Sequence, residues 1–164
     1  MHVREATDDD VAQIRRVAER SWDADYPDIV SRETASEGVT EWYGEDRIRR
    51  ELASSRTVLL VAETGGEVAG FAHAVWGSEE GTVLRLYVDP DHRREGVGGM
   101  LLDATVEYLA GEGVDRVKAT VLAENEPGND FYRARGFERL DETHETEIGG
   151  EFYAEHVWAR QQAL

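Results

Sequence analysis

The run TVLRLYVDPDHRREGVGGMLL, from Thr82 to Leu102, carries the reading of the fold. Its first seven residues are β-branched or apolar at alternate positions, and the strand they predict, Thr82–Val88, stops at Asp89-Pro90, where proline removes a ladder donor. Beyond Gly96 the period changes. Val97, Met100, Leu101, Ala104, Tyr108 and Leu109 fall on one face of a helix, which Gly111 and Gly113 end. Val114–Leu122 is again β-rich. Strand, helix and strand in that order predict a right-handed crossover between two parallel strands. The link itself, Arg93-Arg94-Glu95-Gly96-Val97-Gly98-Gly99, leads into a helix N-terminus. Unpaired amides, the helix dipole, glycines that let the backbone come close and two arginines together make an anion site of diphosphate size.

Outward from this unit the chain reads as one mixed sheet with helices packed on it, an α/β arrangement in a single domain over residues 1–164. Val3–Glu5 predicts a short strand. Thr7 caps a helix with acidic residues in its first turn and an apolar stripe at Val11, Ile14, Val17 and Ala18. Ser21–Tyr43 is irregular and aromatic (Trp22, Tyr26, Trp42, Tyr43), and a second helix runs from Glu41 or Glu45 to Ala53. Thr57–Glu63 and Val68–Trp76 form a hairpin about Gly65-Gly66, and Ser78–Gly81 is a turn. Pro127 opens a short helix that Gly136 stops. Two last strands, Phe137–Ile148 and Glu151–Ala159, turn at Gly149-Gly150.

Composition narrows the function. The 164 residues carry no cysteine, which excludes disulfides, thiolate metal sites and a cysteine-bound acyl intermediate. The five histidines are scattered without zinc-like spacing, so no metal is expected. The formal net charge of −17, with Lys118 the single lysine, disfavours nucleic acid and anionic membrane as partners. The acids are spread along the whole chain, as on a solvated surface suited to a salty, halophilic cytoplasm. No run approaches the ~18 apolar residues of a membrane span, and Met1–Glu5 lacks the layout of a signal peptide. The expected location is cytoplasmic.

The glycine loop matches neither of two common phosphate motifs. A nucleotide P-loop needs Lys-Ser/Thr after its last glycine, but Gly99 and Met100 follow Gly98; a dinucleotide fingerprint needs glycine or alanine where Leu101 stands. A second motif decides the matter: Asn125-x-x-Gly128-x-x-Phe131-Tyr132-x-x-x-Gly136-Phe137. Paired with Arg93-x-x-Gly96-x-Gly98, and with Leu86-Tyr87-Val88-Asp89-Pro90 ahead of the loop, it strongly resembles the GNAT superfamily of N-acetyltransferases. The resemblance is specific from about Leu84 to Phe137.

It implies a mostly antiparallel, twisted sheet of about six or seven strands, helices on both faces, and a parallel pair splayed to bind coenzyme A. The main chain of Leu86, Tyr87 and Val88 would hold the pantetheine arm as an added strand. Amides of Arg93, Arg94, Glu95, Gly96, Val97, Gly98 and Gly99 would cradle the pyrophosphate. Asn125 would hydrogen-bond the pantetheine arm, a backbone N–H near Val88 would hold the oxyanion, and Tyr132 would be the general acid. The implied reaction moves an acetyl group from acetyl-coenzyme A to a primary amine, by direct attack through a tetrahedral intermediate. The expelled thiolate must then be protonated.

The chain departs from that family in one respect. Many relatives carry a glutamate base where Thr82 and Thr120 stand here, and a threonine is no base at neutral pH. Glu79, Glu80, His73 or relayed water are the substitutes the sequence offers. Acceptor specificity is expected from Ser21–Tyr43 and the Thr143–Glu151 turn. The acceptor reads as a small amine or amino acid derivative. Protein N-termini or lysines are the second enzymatic reading, and a non-catalytic acyl-coenzyme A sensor is the reading from another class. A homodimer is compatible with the sequence.

Overall fold

The computed structural model describes residues 1–25, 43–148 and 150–162. Seven strands form one sheet: β1 (His2–Glu5), β2 (Thr57–Thr64), β3 (Glu67–Trp76), β4 (Glu80–Val88), β5 (Arg116–Leu122), β6 (Glu138–Ile148) and β7 (Glu151–Gln161), in the spatial order β1-β2-β3-β4-β5-β7-β6. Every neighbouring pair is antiparallel except β4–β5. Among the described residues the α-helices are α1 (Val11–Asp25), α2 (Glu45–Ala53), α3 (Val97–Gly111) and α4 (Glu126–Ala134). As expected, α3 is the crossover that makes β4 and β5 parallel.

The sheet is buried on both sides because its central strands carry apolar residues on both faces. Val58, Leu60 and Ala62 of β2 face α3, while Leu59 and Val61 face α1. On the first side Val97, Leu101, Leu102 and Leu109 of α3 pack on the sheet, with Tyr132 and Phe137 beside them. On the second, Val11, Ile14, Val17 and Trp22 of α1 meet Ile48 of α2 and Phe71 of β3. Each such fully buried side chain is worth about 1.5–3 kcal/mol of removal from water. At the β2–β3 hairpin Gly65 and Gly66 take φ of +58° and +82°, the sign that a two-residue turn matched to strand twist demands.

Some expectations shift. Ser21 does not open an irregular segment: α1 continues to Asp25, since Ser21 and Trp22 are both buried against the sheet. Residues 26–42, with Tyr26 and Trp42, lie outside the described residues. Glu80 belongs to β4 rather than a turn, held by Arg116 at 3.0 Å. The strand expected at Phe137–Ile148 is found as β6, and it pairs with β7 as far as Ile148–Glu151, so the segment from Thr143 belongs to that hairpin.

What positions the site is a defect in β4. Consecutive residues His73 and Ala74 of β3 pair with Arg85 and Val83, so Leu84 is an extra residue in β4. A bulge of this kind bends its strand and increases the twist. The parallel ladder to β5 ends at the same place, with Val83 opposite Ala119. Beyond it Leu84–Val88 and Thr120–Leu122 diverge.

Candidate active site

A cavity of about 640 Å³ fills that divergence. Leu84, Leu86, Tyr87 and Val88 line it from β4, and Thr120, Val121 and Leu122 from β5. Two anchors hold the gap open. On one side Arg20 of α1 donates to Asp89 at 2.9 Å and Asp91 at 2.8 Å, and Ser21 Oγ donates to the Val88 carbonyl at 3.1 Å. On the other, buried Asn129 of α4 donates through Nδ2 to the carbonyls of Leu122 (3.1 Å) and Asn125 (2.7 Å). Its Oδ1 accepts from Trp158 Nε1 at 2.8 Å and lies 3.2 Å from His156 Nδ1. The end of β5 is thereby fixed to α4 and β7 instead of β4.

At one end of the cavity sits the glycine loop. Arg94 and Gly96 both take left-handed backbone, φ +66° and +79°. The first bond of α3 runs from Met100 N to the Gly96 carbonyl at 3.1 Å, and no side chain caps the helix. The amides of Val97, Gly98 and Gly99 are therefore left over for an anion. Arg93, Arg94, Gly96, Val97, Gly98 and Gly99 all line the cavity, while the Glu95 carboxylate turns to His92 Nδ1 at 2.9 Å. A Cβ at Gly98 would lie 3.2 Å from the Phe131 ring, so glycine is what lets α4 close on α3 here. One contributor was not legible in the motif. Arg135, just past α4, stacks over Phe131 at 4.6 Å and brings its guanidinium to the cavity, where a Cβ on Gly99 would come within 2.8 Å of it. The leftover amides and three arginines fit a diphosphate-bearing ligand in size and charge.

At the middle of the cavity stand Asn125 and Tyr132. Asn125 Oδ1 accepts from Gly128 N at 3.1 Å, so the side chain caps α4 and lines the cavity at once. Tyr132 also lines it, only 6% exposed, its ring edge-on to Phe131 and Phe137 at 5.1 and 5.2 Å. Burial pushes its phenol pKa well above the ordinary value, with the Tyr87 phenol adding to the effect. The group is protonated throughout the neutral range.

The far end is formed by Trp22, Arg47, Arg85, Thr146, Ile148 and Glu155. None of Glu79, Glu80, His73 or Thr82 is among the described residues that line the cavity. Glu80 is committed to Arg116 and Lys118 at the closed end of the β4–β5 ladder. His73 is buried and receives a hydrogen bond from Arg85 Nη1 on Nδ1 at 2.8 Å, an arrangement only the neutral ring allows. Burial, with Arg85 and Arg47 nearby, lowers its pKa to about 3. Although the Glu51 carboxylate lies 3.6 Å from that ring, it is paired with Arg47 at 3.3 Å. Trp22 reaches the cavity, whereas Tyr43 packs edge-on against Trp22, Phe71 and Tyr87. Glu155 is the residue the sequence did not mark: it lies in a strand with no motif, and only the pairing of β7 with β5 brings it here.

Comparison with known proteins agrees with this geometry. The model of the Acetyltransferase (GNAT) family matches residues 12–137. A spermidine N(1)-acetyltransferase of Thermoplasma acidophilum is 25% identical over 145 residues, 86% of this chain and 90% of that one. A mycothiol acetyltransferase of Clavibacter michiganensis subsp. michiganensis is 34% identical over 96 residues, 57% of this chain but 30% of its own length. Among solved structures, the PaiA N-acetyltransferase of Thermoplasma acidophilum in complex with coenzyme A superposes with a TM-score of 0.85 at 22% identity, covering 98% of both chains. The ribosomal-protein-S18-alanine N-acetyltransferase of Escherichia coli gives 0.74 at 19%, covering 99% of this chain and 94% of that one. With two sequence motifs, the splayed β4–β5 pair and a family model spanning most of its length, the chain belongs to the GNAT family of acetyl-coenzyme A-dependent acetyltransferases.

Proposed function

We propose that the chain N-acetylates a primary amine of a small cationic molecule by direct attack of the amine on the thioester. The observation that carries this is the form of the cavity. It runs from a strongly basic cradle, through the gap between β4 and β5, to a far end lined by the Glu155 carboxylate, the Trp22 indole and the guanidiniums of Arg47 and Arg85, which lie 3.3 and 4.0 Å from Glu51. A diphosphate suits the first end. An alkylammonium suits the second, where Glu155 supplies charge and Trp22 an aromatic surface. The likeness to a spermidine acetyltransferase over most of both chains supports an amine of this type.

In this reading the amides of Val97, Gly98 and Gly99, with Arg93, Arg94 and Arg135, hold the pyrophosphate. The β4 edge from Leu86 to Val88 and Asn125 hold the pantetheine arm, and an amide near Val88 meets the oxyanion. The amine nitrogen attacks the thioester carbonyl, the C–N bond forms, and collapse of the tetrahedral intermediate breaks the C–S bond. Tyr132 gives its proton to the departing sulfur. Its raised pKa keeps that proton in place until the thiolate develops, so transfer accompanies bond cleavage rather than preceding it.

A thiol-release screen with acetyl-coenzyme A across polyamines, monoamines, amino acids and peptides tests the reading. Turnover is expected with polyamines or other small cationic amines. Release confined to peptides would replace this reading with a protein acetyltransferase. Coenzyme A binding by calorimetry without release on any acceptor would replace it with a sensor.

A further inference from the structure

Proton balance leaves one role unassigned. An alkylamine arrives as an ammonium, which has no lone pair for attack, and neither Thr82 nor Thr120 can take the proton. Among the described residues that line the cavity, Glu155 is the one carboxylate. The sheet register explains how it gets there. Glu155 of β7 lies opposite Leu122 of β5, and Thr120 lies opposite Val157. Opposed residues share a face, so Glu155 is the diagonal neighbour of Thr120 on the side of the sheet that faces α1 and α2. A carboxylate has been supplied to the same space from the adjoining strand.

Its surroundings suit the task. Glu155 is half-buried, and no hydrogen bond or ion pair to a described residue engages its carboxylate, in a protein where most buried acids are tied to arginine. The charged groups near it are His144, opposite it on β6, and Arg85 on β4; Arg47 of α2 lines the same end of the cavity. His144 and Arg85 favour the ionised form, yet burial prevails and raises its pKa above the ordinary value. A carboxylate whose affinity for a proton is raised is a better acceptor from an ammonium.

We propose that Glu155 receives the acceptor's ammonium and takes its proton, making it the general base of the acetyl transfer. This rests on the N-acetylation of a small amine proposed above. The balance is as follows. The nitrogen gives up two protons: the first goes to Glu155 and thence to water, the second replaces, through solvent, the proton that Tyr132 gives to sulfur. The net products are the amide, the free thiol and one proton.

The test compares wild type with Glu155→Gln, an isosteric change at a side chain with no described partner, using an alkylamine that the wild type accepts. Wild-type kcat/KM should rise through the Glu155 pKa and then level off below the amine's own pKa, because Glu155 is then fully ionised while the ammonium it receives is still the main form of the amine. In Glu155→Gln it should be at least tenfold lower at pH 7 and should climb about tenfold per pH unit toward the amine pKa, since only free amine reacts. Coenzyme A affinity should be unchanged. With a hydroxylamine-type acceptor, already neutral at pH 7, the variant should lose less than threefold. Equal kcat/KM and equal pH profiles for the two proteins with the alkylamine would overturn the role of Glu155 alone. A tenfold loss that persists unchanged with the neutral acceptor would overturn it too. Absence of release by the wild type with any amine would overturn this proposal together with the reading beneath it.

Discussion

Tyr132→Phe removes one oxygen from the centre of the cavity and leaves the ring in place. The edge-on contacts with Phe131 and Phe137, at 5.1 and 5.2 Å, involve the ring alone, so the packing of α4 should survive. What is lost is a proton. An ordinary phenol of pKa ~10 protonates a thiolate of pKa ~8.5, a cysteine-like proxy, at an uphill cost of about 2 kcal/mol. Burial of Tyr132 raises that cost, but a positioned acid still contributes typically ~10²–10⁴ in rate. At 1.36 kcal/mol per decade this is about 2.7–5.5 kcal/mol of barrier. We expect kcat for thiol release to fall at least tenfold, and by about 10² if the lower figure holds. The coenzyme A Kd from calorimetry should stay within about twofold. The pH dependence has a definite sign. As the proposed acid Tyr132 would act in its protonated form, and its pKa lies above the ordinary value, so loss of activity from its ionisation is expected above pH ~10. A folded Tyr132→Phe protein with unchanged coenzyme A affinity and wild-type kcat would refute the argument.

Three further outcomes follow from named contacts. Arg135→Ala should weaken coenzyme A binding about tenfold, the worth of one charge-assisted hydrogen bond to phosphate, with kcat at saturation little changed; calorimetry against steady-state kinetics separates the two. Asn129→Ala strands the buried Trp158 Nε1 and removes one of the two hydrogen bonds on the Leu122 carbonyl, which keeps that from Asn125 N, and should cost about 1–3 kcal/mol in urea unfolding, with a raised KM for acetyl-coenzyme A as the end of β5 relaxes. His73 is neutral when folded, with its pKa lowered to about 3 against about 6.5 in the unfolded chain. Its contribution to stability is complete above pH ~6.5 and is lost as the pH falls toward 3, where the unfolded state binds the extra proton. His73→Gln, which retains an acceptor for Arg85, should therefore unfold less steeply across that window, read by circular dichroism. An unchanged slope would reject the linkage.

Legibility differed from element to element for physical reasons. The β4–α3–β5 unit was readable because an apolar, β-rich run, a glycine loop and a period-3.6 stripe follow one another within about forty residues, and each is a local property of the chain. Tyr132 and Asn125 were readable because they stand at fixed spacing in a motif on one short helix. The end of α1 was misplaced because Ser21 and Trp22 have no helical signal of their own; burial against the sheet holds them. The extent of β6, expected as Phe137–Ile148, was readable because the pair Gly149-Gly150 marks where the strand must end, and its pairing with β7 runs to Ile148–Glu151.

The amino-acid order by itself determined that this chain folds as an α/β sheet with one parallel crossover, that a diphosphate-sized anion site opens α3, and that the chain resembles an acetyltransferase family. These are matters of periodicity and short-range spacing, and the side chains concerned are neighbours in the chain. Tertiary structure alone decided which carboxylate lines the cavity, which arginine joins the glycine loop there, and why β4 and β5 part at Val83. Glu155 and Thr120, Arg135 and Gly99, Leu84 and His73 are brought together by register, helix docking and a bulge. Such pairings depend on the whole sheet being assembled, and no local pattern encodes them.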